Sequence, residues 1–114
     1  MKKLLLIPLS VFMLVGYMPL ANASNIAQSV CEYIAADDKK RLRSYLKANR
    51  LKVRYIFADI ECNGVNLLAF AAKAKAIKTG TLMINKLPKG ALADVVATID
   101  FPTLSAVAQK RLER

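Results

Sequence analysis

The sequence predicts a small all-α single domain of four to six short helices, held by one disulfide and preceded by a signal peptide helix. Three observations support this prediction. Apolar residues recur three and four positions apart through most of the chain after residue 25. A charge-free stretch follows two lysines at the N-terminus, and the 114 residues include only 2 cysteines. No repeat array, linker or low-complexity tract interrupts the pattern, so we expect one domain.

Residues 1–23 have the pattern of a signal peptide. Lys2 and Lys3 form a short positive segment, residues 4–20 carry no charge, and Ala-Asn-Ala precedes the predicted cleavage between Ala23 and Ser24. The alternative is an uncleaved membrane anchor, but an uncharged run of about seventeen residues is at the lower end of what spans a bilayer. We therefore expect a periplasmic or secreted protein with no stable membrane span after cleavage.

Residues 24–114 would form the mature protein, a single small helical domain. Loss of Lys2 and Lys3 lowers the formal net charge from +10 to +8, because all 8 acidic residues lie beyond the cleavage site. A domain of this size buries only a modest core, so a covalent cross-link contributes a large share of its stability.

The two cysteines, Cys31 and Cys62, allow one intramolecular pairing. Export places them in an oxidising compartment, where two thiols of a small domain normally form a disulfide. Closing a loop of this length stabilises the folded state by roughly 3–4 kcal/mol if the gain is entropic. The alternatives are an intermolecular bridge and a redox-active pair, but redox pairs are usually spaced Cys-x-x-Cys. We predict a structural disulfide.

The chain has 0 histidines, which excludes several kinds of chemistry. Serine–histidine and cysteine–histidine nucleophile pairs and imidazole metal sites are all ruled out. Two carboxylates across a cleft, as in glycosidases, are the remaining enzymatic alternative. The close acidic pairs, at residues 37–38 and 59–61, lie where helix caps and turns are expected. We therefore expect a non-enzymatic protein with no catalytic residue, no metal and no cofactor.

The first helices follow one another closely along the mature chain. Residues 26–36 place apolar side chains on one helical face. Asp37 and Asp38 are expected to begin the second helix by accepting its first amide hydrogens, and that helix ends near Asn49. Residues 51–60 fit both the alternation of a strand and the spacing of a helix, and the helical neighbours favour a helix.

Turn-forming residues separate the next segments. Asn63 and Gly64 tolerate positive φ and predict a turn, after which Asn66 is expected to cap a helix over residues 67–72. Thr-Gly at residues 79–80 predicts a break before the following helix.

The last two helices are predicted over residues 92–99 and 102–112. Asp100 is expected to cap the second of them, and Pro102 to occupy its first turn. Four apolar side chains line one face of this C-terminal helix, namely Leu104, Val107, Ala108 and Leu112.

The strongest functional indication is a run of basic residues with no acidic residue among them. Such a concentration of charge attracts polyanions, and Tyr45 and Tyr55 would add stacking or hydrogen bonds. The alternative is a solvated helix face that keeps the protein soluble. The run consists of Lys39, Lys40, Arg41, Arg43, Lys47, Arg50, Lys52 and Arg54.

We predict that this face binds an anionic component of the envelope or an acidic protein. Nucleic acid is not expected as a partner, because exported domains rarely meet it and the chain lacks RNP aromatics and a Gly-x-x-Gly clamp. The competing hypothesis is an accessory or assembly subunit that uses the apolar face of residues 104–112. The salt dependence of binding distinguishes the two hypotheses, since only binding at the basic face should weaken steeply as the salt concentration rises.

Five segments of the chain form a further pattern: Asp-Lys-Lys-Arg-Leu-Arg (38–43), Leu-Lys (46–47), Leu-Lys-Val-Arg (51–54), Cys-Asn-Gly (62–64) and Leu-Leu-Ala-Phe-Ala (67–71). With these segments the chain resembles a family of small exported bacterial proteins of unknown function that share a Cys-Asn-Gly motif and an upstream cysteine. The similarity covers residues 31–88. It implies export and a paired cysteine, and it implies no activity.

A second resemblance concerns residues 64–72, followed by Leu-Met-Ile at residues 82–84. They are similar to an ankyrin repeat, in which a glycine turn leads into a helix with paired alanines and a second helix returns with aliphatic residues. The chain departs from that repeat at Asn66 and Leu67, where the repeat has threonine and proline. Because at least three repeats are normally needed, the resemblance implies only an ankyrin-like helical hairpin.

Overall fold

The computed structural model describes residues 23–114, and helices dominate them. The all-α prediction is confirmed, with seven α-helices in the described residues rather than four to six, and two of them have only 7 residues each. A hairpin of two short strands and a 3-10 turn complete the described part of the chain. The elements are α1 (Ala23–Ala35), α2 (Lys39–Ala48), α3 (Val53–Asp59), β1 (Glu61–Cys62), β2 (Val65–Asn66), α4 (Leu67–Ala74), α5 (Ile77–Lys86), α6 (Lys89–Val95), the 3-10 turn (Val96–Thr98) and α7 (Pro102–Glu113).

The predicted disulfide holds α1 against the rest of the domain. Cys31 in α1 bonds Cys62 in β1, and their Cα atoms are 5.7 Å apart. The neighbouring side chains of Val30 and Ile34 are fully buried. Helix α1 therefore contributes both an apolar face to the core and a covalent link to the hairpin, and the predicted pairing is confirmed.

Three helices end in the same hydrogen-bond pattern. Just beyond α1, α2 and α4, the backbone is left-handed at Asp37 (φ 53°), Arg50 (φ 55°) and Lys75 (φ 56°). The amides at and after these residues bond back to carbonyls of the last helical turn, as in a Schellman motif. Each of these ends lets the chain change direction within a few residues, so that the next helix packs back on the core.

Within the segment 51–60, residues Val53–Asp59 are helical, as the neighbouring pattern favoured. Helix α3 buries Val53 and Ile56, which are three residues apart and therefore share a face. The alternating apolar residues in this segment do not form a strand, because a strand here would have no partner except the hairpin that begins at Glu61.

The hairpin after α3 turns at Asn63 and Gly64, where the sequence predicted a turn. Their φ angles of 54° and 80° are both positive, which suits the two-residue turn that Asn-Gly favours. Cys62 consequently pairs with Val65 across the hairpin. Asn66 then accepts the amide hydrogen of Ala69 at 2.8 Å, and this bond confirms its predicted role as the cap of α4.

Helix α5 lies at the centre of the domain, and α2, α4 and α7 all pack against it. Its residues Leu82, Met83 and Ile84 are buried. The closest approach is to α7, since a Cβ atom built on Gly80 would lie 2.5 Å from Cδ1 of Leu104. The backbones of α5 and α7 therefore approach each other closely at Gly80, with the side chain of Leu104 packed against it.

A side chain of α7 also closes the C-terminal end of α5. Arg111 donates from Nε to the carbonyl of Ile84 and from a terminal guanidinium nitrogen to the carbonyl of Leu87, each at 2.8 Å. These carbonyls lie at the end of a helix, where no amide of the next turn is available to them. Arg111 thereby fixes the position of α7 along the axis of α5.

Three local predictions are wrong. Asp37 does not cap α2, because its carboxylate accepts the amide hydrogens of Lys78 and Thr79 at the start of α5. Thr79 and Gly80 do not break the chain but lie inside α5, because Thr79 hydrogen-bonds Asp37 and Gly80 makes room for α7. Asp100 does not cap α7, whose N-cap residue is Phe101 without a side-chain hydrogen bond. Pro102 occupies the first turn as predicted, and it removes one of the amides that a cap would satisfy.

The predicted signal peptide lies outside the described residues, apart from Ala23 at the start of α1. It and the predicted cleavage between Ala23 and Ser24 stay predictions. Within residues 23–114, no helix combines the length and the apolar composition needed to span a membrane.

Candidate functional site

Helix α2 presents most of the predicted basic residues to solvent. Leu42 and Leu46 are buried, and this i, i+4 pair turns one face of α2 towards the core. Basic residues occupy five of the eight remaining positions of α2 and face outwards. All five basic residues of α2 are exposed, namely Lys39, Lys40, Arg41, Arg43 and Lys47.

Two grooves run along this face and adjoin each other. The first has a volume of about 710 Å³ and lies between the start of α2 and the start of α5. The second, of about 350 Å³, lies between the end of α2, the start of α3 and the later turns of α5. Arg43 and Lys47 line both grooves, so the two grooves adjoin and form one basic surface. We call it the basic furrow and define it by Lys39, Lys40, Arg43, Lys47, Lys52, Arg54, Lys78 and Lys86.

The furrow contains six of the eight predicted residues and leaves out two. Arg41 forms an ion pair with Asp38, at 3.5 Å between Nε and a carboxylate oxygen. Arg50 holds the left-handed position after α2. Neither residue lines either of the two grooves.

Two residues of the furrow, Lys78 and Lys86, were missed by sequence reasoning. Both belong to α5 and are exposed. They lie 24 and 32 positions beyond Arg54, the last residue of the basic run, and no local pattern in α5 shows that its exposed side faces α2. Hydrogen bonds from the start of α5 to Asp37 help to hold the two helices together there.

The two tyrosines proposed as stacking partners lie outside the furrow. Tyr45 packs against the ring of Tyr33, with centroids 5.6 Å apart. Tyr55 is 62% exposed, and the guanidinium carbon of Arg54 lies over its ring, 5.9 Å from the ring centroid. No aromatic ring therefore lines either groove of the furrow.

Asp37 fixes the geometry at one end of the furrow. Its carboxylate accepts the backbone amide hydrogens of Lys78 and Thr79, at 3.2 and 2.8 Å, and the Thr79 hydroxyl at 3.1 Å. Asp38, by contrast, caps its own helix by accepting the amide hydrogen of Arg41 at 3.1 Å. The start of α5 is thus held beside the start of α2, with Lys78 facing Lys39 across the first groove.

Within residues 23–114, no cation of the furrow forms an ion pair shorter than 4 Å, since the one such pair joins Arg41 to Asp38 and Arg41 is not part of the furrow. The carboxylates of Asp37 and Asp38 line the first groove and offset part of its positive charge. They keep their negative charge while they accept backbone hydrogen bonds, so eight cations and two carboxylates leave a formal net charge of +6 along the furrow. The furrow is consequently a positively charged surface open to an external anion.

The C-terminal face proposed for the competing hypothesis is not a free surface. Leu104 and Ala108 are fully buried, and Val107 and Leu112 pack against the core. Within the described residues this face is used to attach α7 to α5. A more apolar groove of about 410 Å³ lies elsewhere and is lined by Ile26, Ala27, Leu51, Ile56, Asp59, Ile60 and Glu61.

Comparison with known proteins identifies one family. The model of a family described as "Protein of unknown function (DUF3718)" matches residues 30–94, which include both cysteines and every residue of the basic furrow. No curated protein and no solved structure shows a significant match to the chain. The ankyrin resemblance and the role of Cys-Asn-Gly as a family motif stay predictions.

Proposed function

Because the chain belongs to the DUF3718 family, whose function is unknown, we propose a function from its own residues. The protein is exported to the periplasm, or secreted, and binds an anionic envelope partner in the basic furrow without catalysing a reaction. One observation carries the proposal, namely that eight cationic side chains from three separate parts of the chain line two adjoining grooves that share Arg43 and Lys47.

A purely solubilising role accounts less well for this arrangement. Charges that serve solubility are expected to spread over the surface, because like charges repel each other. Here Lys78 and Lys86 of α5 instead join the residues of α2, and Lys52 and Arg54 add to them from the segment around the start of α3. The resulting repulsion destabilises the empty furrow and is relieved when an anion binds.

Export is supported by two features that are independent of the furrow. The disulfide between Cys31 and Cys62 suits an oxidising compartment. The charge-free stretch after Lys2 and Lys3 suits a signal peptide. An envelope protein with a net positive charge meets anionic lipids, polysaccharides and acidic proteins, all of which the furrow can attract.

The test compares two double variants of the full chain, recovered from the periplasmic fraction of an expressing bacterium. The furrow variant is Lys47→Glu with Lys86→Glu, and the control variant is Lys73→Glu with Lys110→Glu. All four lysines are exposed and lie in the last turn of a helix. Both variants therefore change the net charge equally and disturb helix dipoles alike.

We expect the wild type and the control variant to retain an anionic component of envelope extract at low salt and release it at high salt. The furrow variant should lose this binding by at least tenfold, with an unchanged melting temperature relative to the control. Equal binding by the two variants would contradict the proposal. A partner that stays bound at high salt would instead support an apolar interface and an assembly role.

A further inference from the structure

The cations of the furrow form two rows rather than one cluster. On α2, Lys40, Arg43 and Lys47 are spaced by three and four residues, so they share one face and extend over about 10 Å. On α5, Lys78 and Lys86 are eight residues apart, which corresponds to about 12 Å along the helix. Both rows are longer than a single phosphate or carboxylate group can contact.

The two rows run side by side in the same direction. Lys78 lines the first groove with Lys39, whereas Lys86 lines the second groove with Lys52. Because Arg43 and Lys47 line both grooves, they bridge the two ends. Positive charge therefore continues along the furrow, and it does not converge on one point.

This distribution selects against a compact anion. A single anionic group touches two or three cations and leaves the others repelling one another, whereas a ligand with a charge on each repeat unit engages the whole length. The ligand that fits is thus a linear polyanion that lies lengthwise between α2 and α5.

The side-chain chemistry of the furrow narrows the class of polymer further. Six of the eight furrow cations are lysines, which act as point charges on phosphate, and two are arginines. No aromatic ring lines either groove, so the furrow lacks the stacking surface with which proteins hold the bases of single-stranded nucleic acid. The recognisable feature of the polymer is therefore its charged backbone.

We propose that the furrow binds a linear polymer that carries phosphate on every repeat unit, threaded along the two rows of cations. This inference rests on the proposed function, since it names the class of anion that the basic furrow takes. Arg43 and Lys47, which border both grooves, would contact the middle of the polymer.

The experiment measures binding of the full chain to inorganic polyphosphate of graded length, from pyrophosphate to chains longer than the furrow, by isothermal titration calorimetry. We expect affinity to rise at least a hundredfold along the series. A polyphosphate chain that spans the furrow makes six or more contacts, and each contact contributes roughly 0.7 to the slope of log Kd against log salt concentration. We therefore expect a slope of about 4 for such chains and of about 2 for pyrophosphate, which contacts two or three cations.

Neutral variants give the residue-level check. Lys47→Gln with Lys86→Gln removes two contacts and should lower the salt slope by about 1.4, whereas Lys73→Gln with Lys110→Gln should leave it unchanged. Equal slopes for the two variants would overturn the placement of the polymer in the furrow.

Two further probes separate this inference from the proposed function. Affinity that does not depend on polyphosphate length, or vesicles of anionic lipid bound more tightly than long polyphosphate, would overturn the inference and leave an anion-binding furrow. Tighter binding of a sulfated polysaccharide with the same number of charges would overturn the choice of phosphate. Absence of binding to all of these anions would overturn the inference, whereas the proposed function is overturned only if the furrow variant and the control variant bind envelope extract equally.

Discussion

The carboxylate of Asp37 accepts both the backbone amide hydrogen and the hydroxyl hydrogen of Thr79, at 2.8 and 3.1 Å, across 42 positions of sequence. The neighbouring Asp38 caps α2 instead, although the two residues are chemically identical. The difference arises from the left-handed backbone at Asp37, which turns its side chain away from α2 and towards α5. One carboxylate pair thereby starts two helices and joins the two walls of the basic furrow.

Replacement of Asp37 by alanine should destabilise the protein by about 2 kcal/mol, because two amides at the start of α5 lose their cap and alanine is unfavourable in the left-handed region. Asp38→Ala removes a single capping bond and should cost about 1 kcal/mol. Urea unfolding followed by circular dichroism measures both losses. Asp37→Asn keeps an acceptor and tolerates the backbone, so it should restore most of the stability, and a loss as large as that of alanine would contradict this account.

Gly80→Ala should destabilise the protein by about 1–3 kcal/mol, although alanine normally favours a helix. The reason is the added Cβ, which would lie 2.5 Å from Cδ1 of Leu104. Gly90 is the matched control, since it also lies in a helix and a Cβ there meets nothing within 4 Å. Gly90→Ala should therefore stabilise by about 0.5–1 kcal/mol in the same thermal or urea unfolding experiment.

A double variant tests whether the contact itself causes the loss at Gly80. Leu104→Ala alone should cost about 2–5 kcal/mol as a buried leucine. Combined with Gly80→Ala, it should cost clearly less than the sum of the two single changes, because the new methyl group occupies part of the vacated space. Strict additivity would show that Gly80 and Leu104 do not interact.

Arg111→Lys should destabilise the protein by about 1.5–3 kcal/mol, because one ammonium group cannot replace both hydrogen bonds to the carbonyls of Ile84 and Leu87. Lys110→Ala changes the exposed neighbouring residue and should stay within about 0.5 kcal/mol of the wild type. Hydrogen exchange at α7 adds a local measurement, since loss of Arg111 should raise exchange there first. Equal effects of the two changes would remove the role assigned to Arg111.

Removal of the disulfide by Cys31→Ala with Cys62→Ala should destabilise the protein by roughly 3–4 kcal/mol, because the unfolded chain gains the freedom of the released loop. Reductant should destabilise the wild type by a similar amount and leave the double variant unaffected. Parallel urea titrations with and without reductant measure both effects. A wild type that is insensitive to reductant, although the reagent is shown to cleave the bond, would contradict a structural role.

Local chemistry explains why much of the fold could be predicted from the sequence. The turn at Asn63 and Gly64 and the cap at Asn66 depend on backbone preferences within a few residues, and both occur where expected. The disulfide had only one possible partner for each cysteine. Thr79 and Gly80 were misinterpreted because the same residues that favour a turn in isolation can also serve a helix that packs closely on a neighbour.

The candidate site was predictable only in part. Exposed lysines and arginines on α2 follow from the buried positions of Leu42 and Leu46, so the basic face itself could be read from helical spacing. That spacing could not identify Lys78 and Lys86 as the opposite wall, nor exclude Arg41 and Arg50 from it. Similarly, the apolar face around Leu104 was recognisable, but its burial against α5 was not.

Four features could be predicted from the sequence: the helical class, the positions of most turns and caps, the disulfide, and the concentration of positive charge between residues 39 and 54. Each depends on composition or on interactions within a few residues, so it can be recognised without the fold. Three contacts are visible only in the folded protein: Asp37 caps α5 rather than α2, Gly80 leaves room for Leu104, and two rows of cations line one furrow. Each of these is a contact between distant segments, and its energy exists only once the whole core has packed.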